Sequence, residues 1–269
     1  IVGLLTDFGS LIVAGNYVRT DASTRYSDGF GPLRESDLQV GDSLTVEAAG
    51  PSNGLVAKRV HLTHPLVGTI TQVSGNGRAI TVNGVEVRLD SRLRGFGLGD
   101  RVAVSGLWRG PIVHSSRLAR ARSANDLVAG DVNRSGGTTR VGAVPVRGSG
   151  TGSPARGSFA SVVGEFDPQT GVLRARRVVT QRFVGAAGPL ARLSVEGYLD
   201  PSSSAPGYRV AGLGHSFERN LKLDCFAEGR VLRGGGWAGG IGDGGGAAVL
   251  PEGFGAQRRV LRRSSAQSR

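Results

Sequence analysis

The chain has 269 residues, of which 39% are hydrophobic and 20% are charged, and its formal net charge is +12. This composition excludes an intrinsically disordered chain, and the length is sufficient for two ordinary domains or several small ones. No apolar run approaches the 18 residues of a membrane-spanning helix, and the single cysteine, Cys225, excludes an internal disulfide.

The first predicted unit covers residues 1–63 and consists of short strands. Apolar residues recur at alternate positions, which places them on one face of a strand. Within the second strand-like stretch, Ala14-Gly15 favours the positive φ angles of a two-residue hairpin turn. Gly41-Asp42 marks the turn into the next strand. The four stretches are Ile1–Leu5, Ser10–Val18, Leu38–Val46 and Gly54–Leu62.

The second predicted unit, residues 64–122, repeats these features in the same order. Asn83-Gly84 takes the place of the first hairpin turn, and Gly99-Asp100 follows Gly41-Asp42 at a distance of 58 positions. We expect the two aspartates to bind backbone N–H groups of their turns rather than to act in catalysis. The matching stretches are Leu66–Ile70, Ala79–Val87, Leu98–Val104 and Pro111–Ala119.

A third unit, residues 123–184, and a fourth, residues 185–269, repeat the pattern more weakly. The junction between them, Gln181–Pro189, is loose enough to predict a hinge. In the fourth unit a glycine-rich segment from Gly234 is predicted to be a loop, and a basic tail ends at Arg269.

Each unit of about 60 residues offers about five short strands with frequent turn signals, which is typical of an all-β sandwich or barrel. A sheet this small avoids open edges by closing on itself. The sequence therefore predicts a tandem array of small five-stranded β-barrels of the OB or SH3-like kind.

These phrases together resemble a bacterial family known as domain of unknown function 5666. The resemblance implies export to the periplasm or the outer membrane, often with a lipid anchor on a cysteine before the phrase TDFGSLIVAG. Since the chain starts at Ile1 and contains no Met, we expect such a segment to precede it. The family implies no activity, catalytic residue or cofactor. The resemblance is carried by Ile1–Val18, Ser36–Val46, Val67–Val87 and Leu98–Leu118.

Signs of catalytic or metal chemistry are weak. His61 and His64 are three positions apart, which on a strand directs the rings to opposite faces, so no metal site is expected. Ser216 beside His215 resembles a nucleophile elbow, but the final Gly of that motif is replaced by Glu218. We therefore expect neither a catalytic site nor a bound cofactor.

The strongest functional signal is positive charge on units two and three. From residue 105 to residue 164 there are eight arginines and two acids, a local balance of 8 − 2 = +6. Such a field attracts polyanions, although a codon bias toward Arg and Gly is an alternative explanation. Trp108 is a candidate stacking platform, with barrel-core packing as the alternative. The candidate partner-binding residues are Trp108, Arg109, Arg117, Arg120, Arg122, Arg134 and Arg140.

The sequence thus predicts a non-enzymatic structural or binding module of the bacterial cell envelope. Its basic surface would contact an envelope protein, an anionic glycan or a lipid head group, and the chain could be a subunit of a larger assembly. A nucleic-acid-binding barrel protein is the alternative, although few aromatic residues accompany the arginines. A serine hydrolase using Ser216 is the third hypothesis.

Overall fold

The computed structural model describes residues 1–148, 154–201, 208–212, 216–217, 230–238, 241–242 and 247–250. Strands dominate these residues, and their one helical element is a 3-10 turn at Glu35–Asp37. The predicted all-β class is confirmed. None of the helical structure in these ranges is long and apolar enough to cross a bilayer.

The first barrel is built from residues 2–62. Antiparallel pairing joins the strands in the order β3–β2–β1–β6–β7. A parallel bridge from Arg19 to Val56 connects the end of β3 to β7 and closes the sheet, while β4 and β5 extend it beside β7. The strands are β1 (Val2–Asp7), β2 (Leu11–Val13), β3 (Asn16–Val18), β4 (Arg25–Asp28), β5 (Pro32–Leu33), β6 (Ser43–Ala49) and β7 (Val56–Leu62).

The second and third barrels repeat this order with five strands each, as predicted. The first strand pairs with the second and fourth, and the third strand runs parallel to the fifth and closes the barrel. The strands are β8 (Leu66–Val73), β9 (Ala79–Val82), β10 (Val85–Leu89), β11 (Arg101–Arg109), β12 (Ile112–Arg120), β13 (Asp126–Ser135), β14 (Thr138–Val141), β15 (Val144–Arg147), β16 (Phe159–Asp167) and β17 (Val172–Val179).

The described strands of the fourth unit (barrel 4) pair in the same order, with β20 parallel to β22. Part of the glycine-rich segment predicted to be a loop lies in β21, where antiparallel β18 supplies the hydrogen bonds that keep its glycines extended. The strands are β18 (Arg192–Pro201), β19 (Tyr208–Val210), β20 (Ser216–Phe217), β21 (Arg230–Ala238), β22 (Ile241–Gly242) and β23 (Ala247–Leu250).

The repeated Gly-Asp turn has the same hydrogen bonds in both copies. The Asp42 carboxylate accepts from the backbone N–H of Gln39 at 2.8 Å, and the Asp100 carboxylate accepts from Gly97 at 2.8 Å. The preceding glycines have φ angles of 96° and 86°, which are strained for other residues. Asp42 and Asp100 therefore have the structural role expected from the repeat.

The two-residue hairpins follow the sequence signals as well. Ala14 and Gly15 have φ angles of 47° and 75°, and Asn83 and Gly84 have φ angles of 50° and 73°. Two consecutive positive φ values are the requirement of a type I′ turn, whose twist matches that of the flanking strands. Alternate residues on these strands then point into the barrel.

The barrels are joined to one another through their first strands. The first strand of barrel 1, β1, runs parallel to β18 with Val2 beside Val195, and β8 pairs antiparallel with β13. The backbone N–H of Leu4 donates to Glu196 Oε2 at 2.9 Å in a buried contact between barrels 1 and 4. Hydrogen bonds therefore continue from one barrel into another.

The junction before barrel 4, predicted to be a hinge, is fixed in place. Arg182 is buried and donates to Thr45 Oγ1 in barrel 1 at 3.1 Å and to the Gly212 carbonyl at 2.6 Å. Burial lowers the pKa of Arg182 to about 10. The backbone N–H of Val184 donates to Glu47 at 3.0 Å. These bonds hold the junction against barrels 1 and 4. The local sequence of small residues does not predict them, because their partners are far away in the chain.

Candidate anion-binding cleft

One arginine occupies the same register position on the closing strand of each of the first three barrels. In all three, the strand register shifts immediately beside the arginine, so a bulge directs its side chain toward a neighbouring segment. The three local sequences are KRV, SRL and RRV. A search for alternating apolar residues does not single out this arginine. The three residues are Arg59, Arg117 and Arg177.

Arg117, one of the predicted binding residues, connects barrel 2 to barrel 1. Its Nη1 lies 2.8 Å from Oδ1 of Asp42, a carboxylate with no exposed surface, while 22% of the Arg117 side chain is exposed. Ser105 Oγ donates to the same carboxylate oxygen at 3.2 Å, and Ser116 donates to the Gly41 carbonyl. The main contact of Arg117 is therefore structural.

A cleft of about 330 Å³ lies beside this junction, between barrels 1 and 2. One wall comes from the segment between β4 and β6, and the other comes from β11, β12 and the residues that follow them. Three of the seven predicted residues line the cleft, namely Arg117, Arg120 and Arg122. Its other charged or polar side chains are Asp28, Ser36, Asp37, Gln39 and His64.

Arg120 and Arg122 are the exposed cations of the cleft. The Arg120 side chain is 71% exposed, with Nη1 3.7 Å from Asp100 Oδ1 and the guanidinium 5.6 Å from the centroid of the Phe96 ring. The Arg122 side chain is 57% exposed, with Nη2 2.8 Å from Asp37 Oδ1. The hydrogen bond between Arg122 and Asp37 lowers the pKa of Asp37 and raises that of Arg122. An incoming anion can compete for both guanidinium groups, because exposed ion pairs are worth only about 0.2–1 kcal/mol.

His64 forms a buried polar part of the cleft wall. It is 6% exposed, and its ring hydrogen bonds to the backbone of Val104, which leaves Nδ1 buried without a hydrogen-bond partner. Burial lowers the pKa of His64, so the ring is neutral at pH 7 and Nδ1 is a hydrogen-bond acceptor. His64 and Arg122 are equivalent positions of the 58-residue repeat, since each follows the residue whose N–H closes the barrel end.

His61 lies apart from this cleft. Its Nδ1 is 2.9 Å from Ser27 Oγ, and it lines a separate cavity of about 70 Å³. Burial lowers the pKa of His61 to about 3. His61 and His64 thus line different cavities, because His61 lies on β7 and His64 follows the end of that strand at Leu62. Within the described part of the chain, no three His, Cys, Asp or Glu residues are grouped in a way that suits a metal ion.

Two predicted residues of barrel 2 lie outside the cleft. The Arg109 guanidinium is 5.3 Å from the centroid of the Tyr198 ring in barrel 4. Trp108 is 4% exposed, and its Nε1 donates to the Ala129 carbonyl at 2.8 Å. The indole lies so close to Gly142 that a Cβ there would be 2.4 Å from the ring. Trp108 therefore packs in the core, the alternative that the sequence left open, and we assign it no stacking role.

The remaining predicted arginines belong to barrel 3 and do not line the cleft. Arg134 is exposed and donates to the Pro154 carbonyl at 3.0 Å, and Arg140 is exposed on β14 and donates to the Ala143 carbonyl at 3.3 Å. The predicted set is thus divided among the cleft, the contact with barrel 4, the core and barrel 3.

The hydrolase hypothesis rests largely on residues that the structure does not describe. His215 lies outside the described ranges, and only the backbone of Ser216 is described, in β20. The same ranges also leave out Cys225 and the basic tail. The Ser216 hypothesis remains a prediction.

The comparisons with known proteins support the resemblance over the first barrel. Residues 2–61 match the model of a family described as Domain of unknown function (DUF5666). No curated protein matches the chain. The match covers β1 to the penultimate residue of β7, so it includes every strand of barrel 1.

Proposed function

We propose, from the premise that residues 2–61 match the family of domain of unknown function 5666, that this chain is a non-enzymatic structural or binding module of the bacterial cell envelope. Its basic multi-barrel surface would face a protein partner, an anionic glycan or a lipid head group. The proposal includes export to the periplasm or the outer membrane and membership in a larger assembly.

One observation carries the binding role. Arg120 and Arg122, from the end of barrel 2, meet in one cleft and are 71% and 57% exposed. Arg117 lines the same wall, and its bond to the buried Asp42 joins barrel 2 to barrel 1. A fixed barrel junction that presents two exposed guanidinium groups suits recognition of carboxylate or phosphate groups.

Binding by this cleft is tested with the double variant Arg120→Gln/Arg122→Gln. The matched control is Arg88→Gln, which removes another exposed arginine of barrel 2, one that pairs with Glu86 at 2.8 Å. We expect cross-linking in intact cells that express the native gene to capture an envelope component in fixed stoichiometry. The double variant should lose this capture, and the control should retain it.

Two results would count against the proposal. Recovery of the chain from the cytoplasmic fraction would contradict export, and equal capture by the double variant and the control would remove the cleft from the interaction. Fractionation and quantitative mass spectrometry of the cross-linked material give both readouts.

Nucleic-acid binding is the second candidate, and a different surface favours it. Arg147 on β15 is the parallel register partner of Arg174 on β17, and both are exposed, as is Arg140 on β14. A row of exposed arginines on adjacent strands of a small barrel suits a polyanionic strand. Binding of single-stranded DNA that weakens steeply with salt and is lost in Arg140→Gln/Arg147→Gln would support this candidate over the first.

A further inference from the structure

Another cavity, of about 630 Å³, lies at one end of barrel 1 and shares no residue with the cleft that contains Arg120 and Arg122. One of its walls is the end of the barrel core, where Val46 is 1% exposed and the half-buried Ala48 and Leu55 pack against the same core. Small-molecule sites are mostly apolar cavities of about 300–1,000 Å³, and the mouths of β-barrels are among their usual positions. The size and the position of this cavity therefore both suit a small ligand.

The other wall of the cavity is formed by residues 187–194, which lead into β18 and include its first three residues. Hydrogen bonds hold this spanning segment against barrel 1 at both ends. Just before its start, the backbone N–H of Ala186 donates to Glu47 Oε2 at 2.8 Å. Near its end, the Arg192 guanidinium donates to Ser52 Oγ at 2.6 Å. The cavity is the space that remains between the barrel end and the spanning segment.

The lining of the cavity is aliphatic and open to solvent. The spanning segment contributes the half-buried Ala187 and Leu190 and the exposed Pro189, and none of the described residues that line the cavity is aromatic. A flat ring system rich in polar atoms would need aromatic faces and convergent polar groups. A flexible acyl chain needs only apolar surface that removes its methylene groups from water. The lining therefore favours an acyl chain.

The charges of the cavity wall favour one anionic group on this ligand. Glu47 is 2% exposed, and its carboxylate already accepts hydrogen bonds from Arg59 Nη1 at 3.0 Å and from the backbone N–H groups of Val184 and Ala186. Arg192 is exposed at the rim, and within the described part of the chain it has no ion-pair partner. A guanidinium group with spare donors binds a carboxylate or a phosphate through charge-assisted hydrogen bonds.

We propose that this cavity binds a single-chain amphiphile with one anionic head group, of which a free fatty acid is the simplest example. The acyl chain lies between the end of barrel 1 and the spanning segment, and the head group pairs with Arg192 at the rim. Because the cavity and the cleft of Arg120 and Arg122 share no residue, this proposal does not depend on the proposed role of that cleft.

Calorimetric titration of the intact chain at neutral pH tests the proposal with three probes. These are dodecanoate, dodecyltrimethylammonium, which has the same chain length and a cationic head, and acetate, which has the carboxylate without the chain. Both amphiphiles are kept below their critical micelle concentrations. We expect one dodecanoate to bind per chain, about tenfold or more tightly than the cationic amphiphile, and acetate to give no saturable heat.

Ala49→Trp tests whether the acyl chain occupies the cavity, because Ala49 is half-buried in its wall and an indole there fills the space. We expect dodecanoate affinity to fall about tenfold or more. Ala22→Trp is the matched control, since Ala22 is exposed on barrel 1 outside the cavity, and it should leave binding unchanged. Thermal unfolding shows whether Ala49→Trp folds. If it does not, Ala187→Trp fills the cavity from the spanning segment instead.

Arg192→Gln isolates the head-group contact. We expect this variant to lower dodecanoate affinity about tenfold and to leave binding of the cationic amphiphile unchanged, so the preference between the two head groups should disappear. Arg25→Gln is its control, because Arg25 is an exposed arginine of β4 that does not line the cavity. This control should retain both the affinity and the preference.

Lack of saturable dodecanoate binding would overturn the proposal, as would binding that survives both tryptophan variants or does not distinguish the two head groups. Sedimentation of the unliganded chain tests another occupant. A concentration-dependent dimer that Ala49→Trp disrupts would show that a second copy covers the cavity, which would also overturn the proposal. Capture of the cellular partner through Arg120 and Arg122 is measured separately, so failure here leaves that proposed function standing.

Discussion

The turn that leads into β6 and the turn that leads into β11 share a backbone but differ in their surroundings. In each, an aspartate accepts a hydrogen bond from the backbone N–H three residues earlier. Asp42 is fully buried against Arg117 of the next barrel, whereas the Asp100 side chain is 37% exposed and lies 3.7 Å from Arg120. The repeat therefore specifies the turn, and the packing of the array decides whether the aspartate forms a buried contact with the next barrel or an exposed ion pair.

The largest expected difference comes from neutralising the two aspartates. Asp42→Asn keeps an acceptor for Gln39 but leaves Arg117 in a largely buried place without its anion, so we expect a loss of about 3–5 kcal/mol in the free energy of unfolding. Asp100→Asn removes only an exposed pair and should cost at most about 1 kcal/mol. Urea unfolding of both variants measures the difference, and equal losses would show that the two turns are equivalent.

The glycines before these aspartates give a smaller difference of the same kind. Both have positive φ, so Ala at either position costs about 1–2 kcal/mol. A Cβ at Gly41 would lie 3.0 Å from the Ser116 carbonyl oxygen and 3.2 Å from Arg117 Cβ, whereas a Cβ at Gly99 meets open space. We expect Gly41→Ala to cost a further amount of about 1–2 kcal/mol. Thermal and urea unfolding of the pair provide the measurement, and identical stabilities would argue against tight packing at Gly41.

Acid should weaken barrel 1 and spare the equivalent end of barrel 2. The folded-state pKa of His61 is about 3, because of burial and the nearby cations Arg59, Arg182 and Arg177, and the pKa of His64 is also lowered. A lowered pKa means that the unfolded chain binds more protons, so stability is complete above pH 6.5 and falls as the pH drops toward the folded pKa. At pH 5 the loss from His61 is about 2 kcal/mol.

The variants His61→Gln and His64→Gln provide the control for this acid effect. Each should flatten the dependence of the unfolding free energy on pH between 6.5 and 5, as measured by urea titration. The repeat places Ala119 and Arg122 at the equivalent positions of barrel 2, and neither titrates in this range. A slope that survives both substitutions would assign acid sensitivity to other groups.

The local features were readable from the sequence because they depend on neighbours along the chain. Alternation of apolar residues identified most strands, and Asn83-Gly84 identified a hairpin because only certain residues tolerate two positive φ angles. The roles of Arg117 and Trp108 depend instead on contacts with Asp42 and Ala129, which lie 75 and 21 positions away. A pattern with a period of two carries no information about such partners.

The same limit explains the division of the predicted basic surface. Arg117, Arg120 and Arg122 are close in sequence and line one cleft. The bulge opposite Ser105 and Gly106 nevertheless directs Arg117 toward Asp42 of barrel 1. Arg134 and Arg140 lie in barrel 3 and do not share this cleft. The sequence indicates His64 only as a weak metal candidate, because its place in the cleft wall and its bond to Val104 depend on tertiary contacts.

The pairing of β1 with β18 has a consequence for the kinetics of folding. Val2 lies beside Val195, so the contact that joins barrels 1 and 4 closes a loop of more than 190 residues. Contacts of such high sequence separation carry a large loop-closure entropy and form late. Each barrel can gain most of its own hydrogen bonds locally, but the array cannot close until β18 has been synthesised. A ribosome-bound chain that ends before residue 192 should therefore hold a folded barrel 1 in which β1 is protected by β2 and β6, while the backbone N–H of Leu4, whose acceptor is Glu196, still exchanges freely.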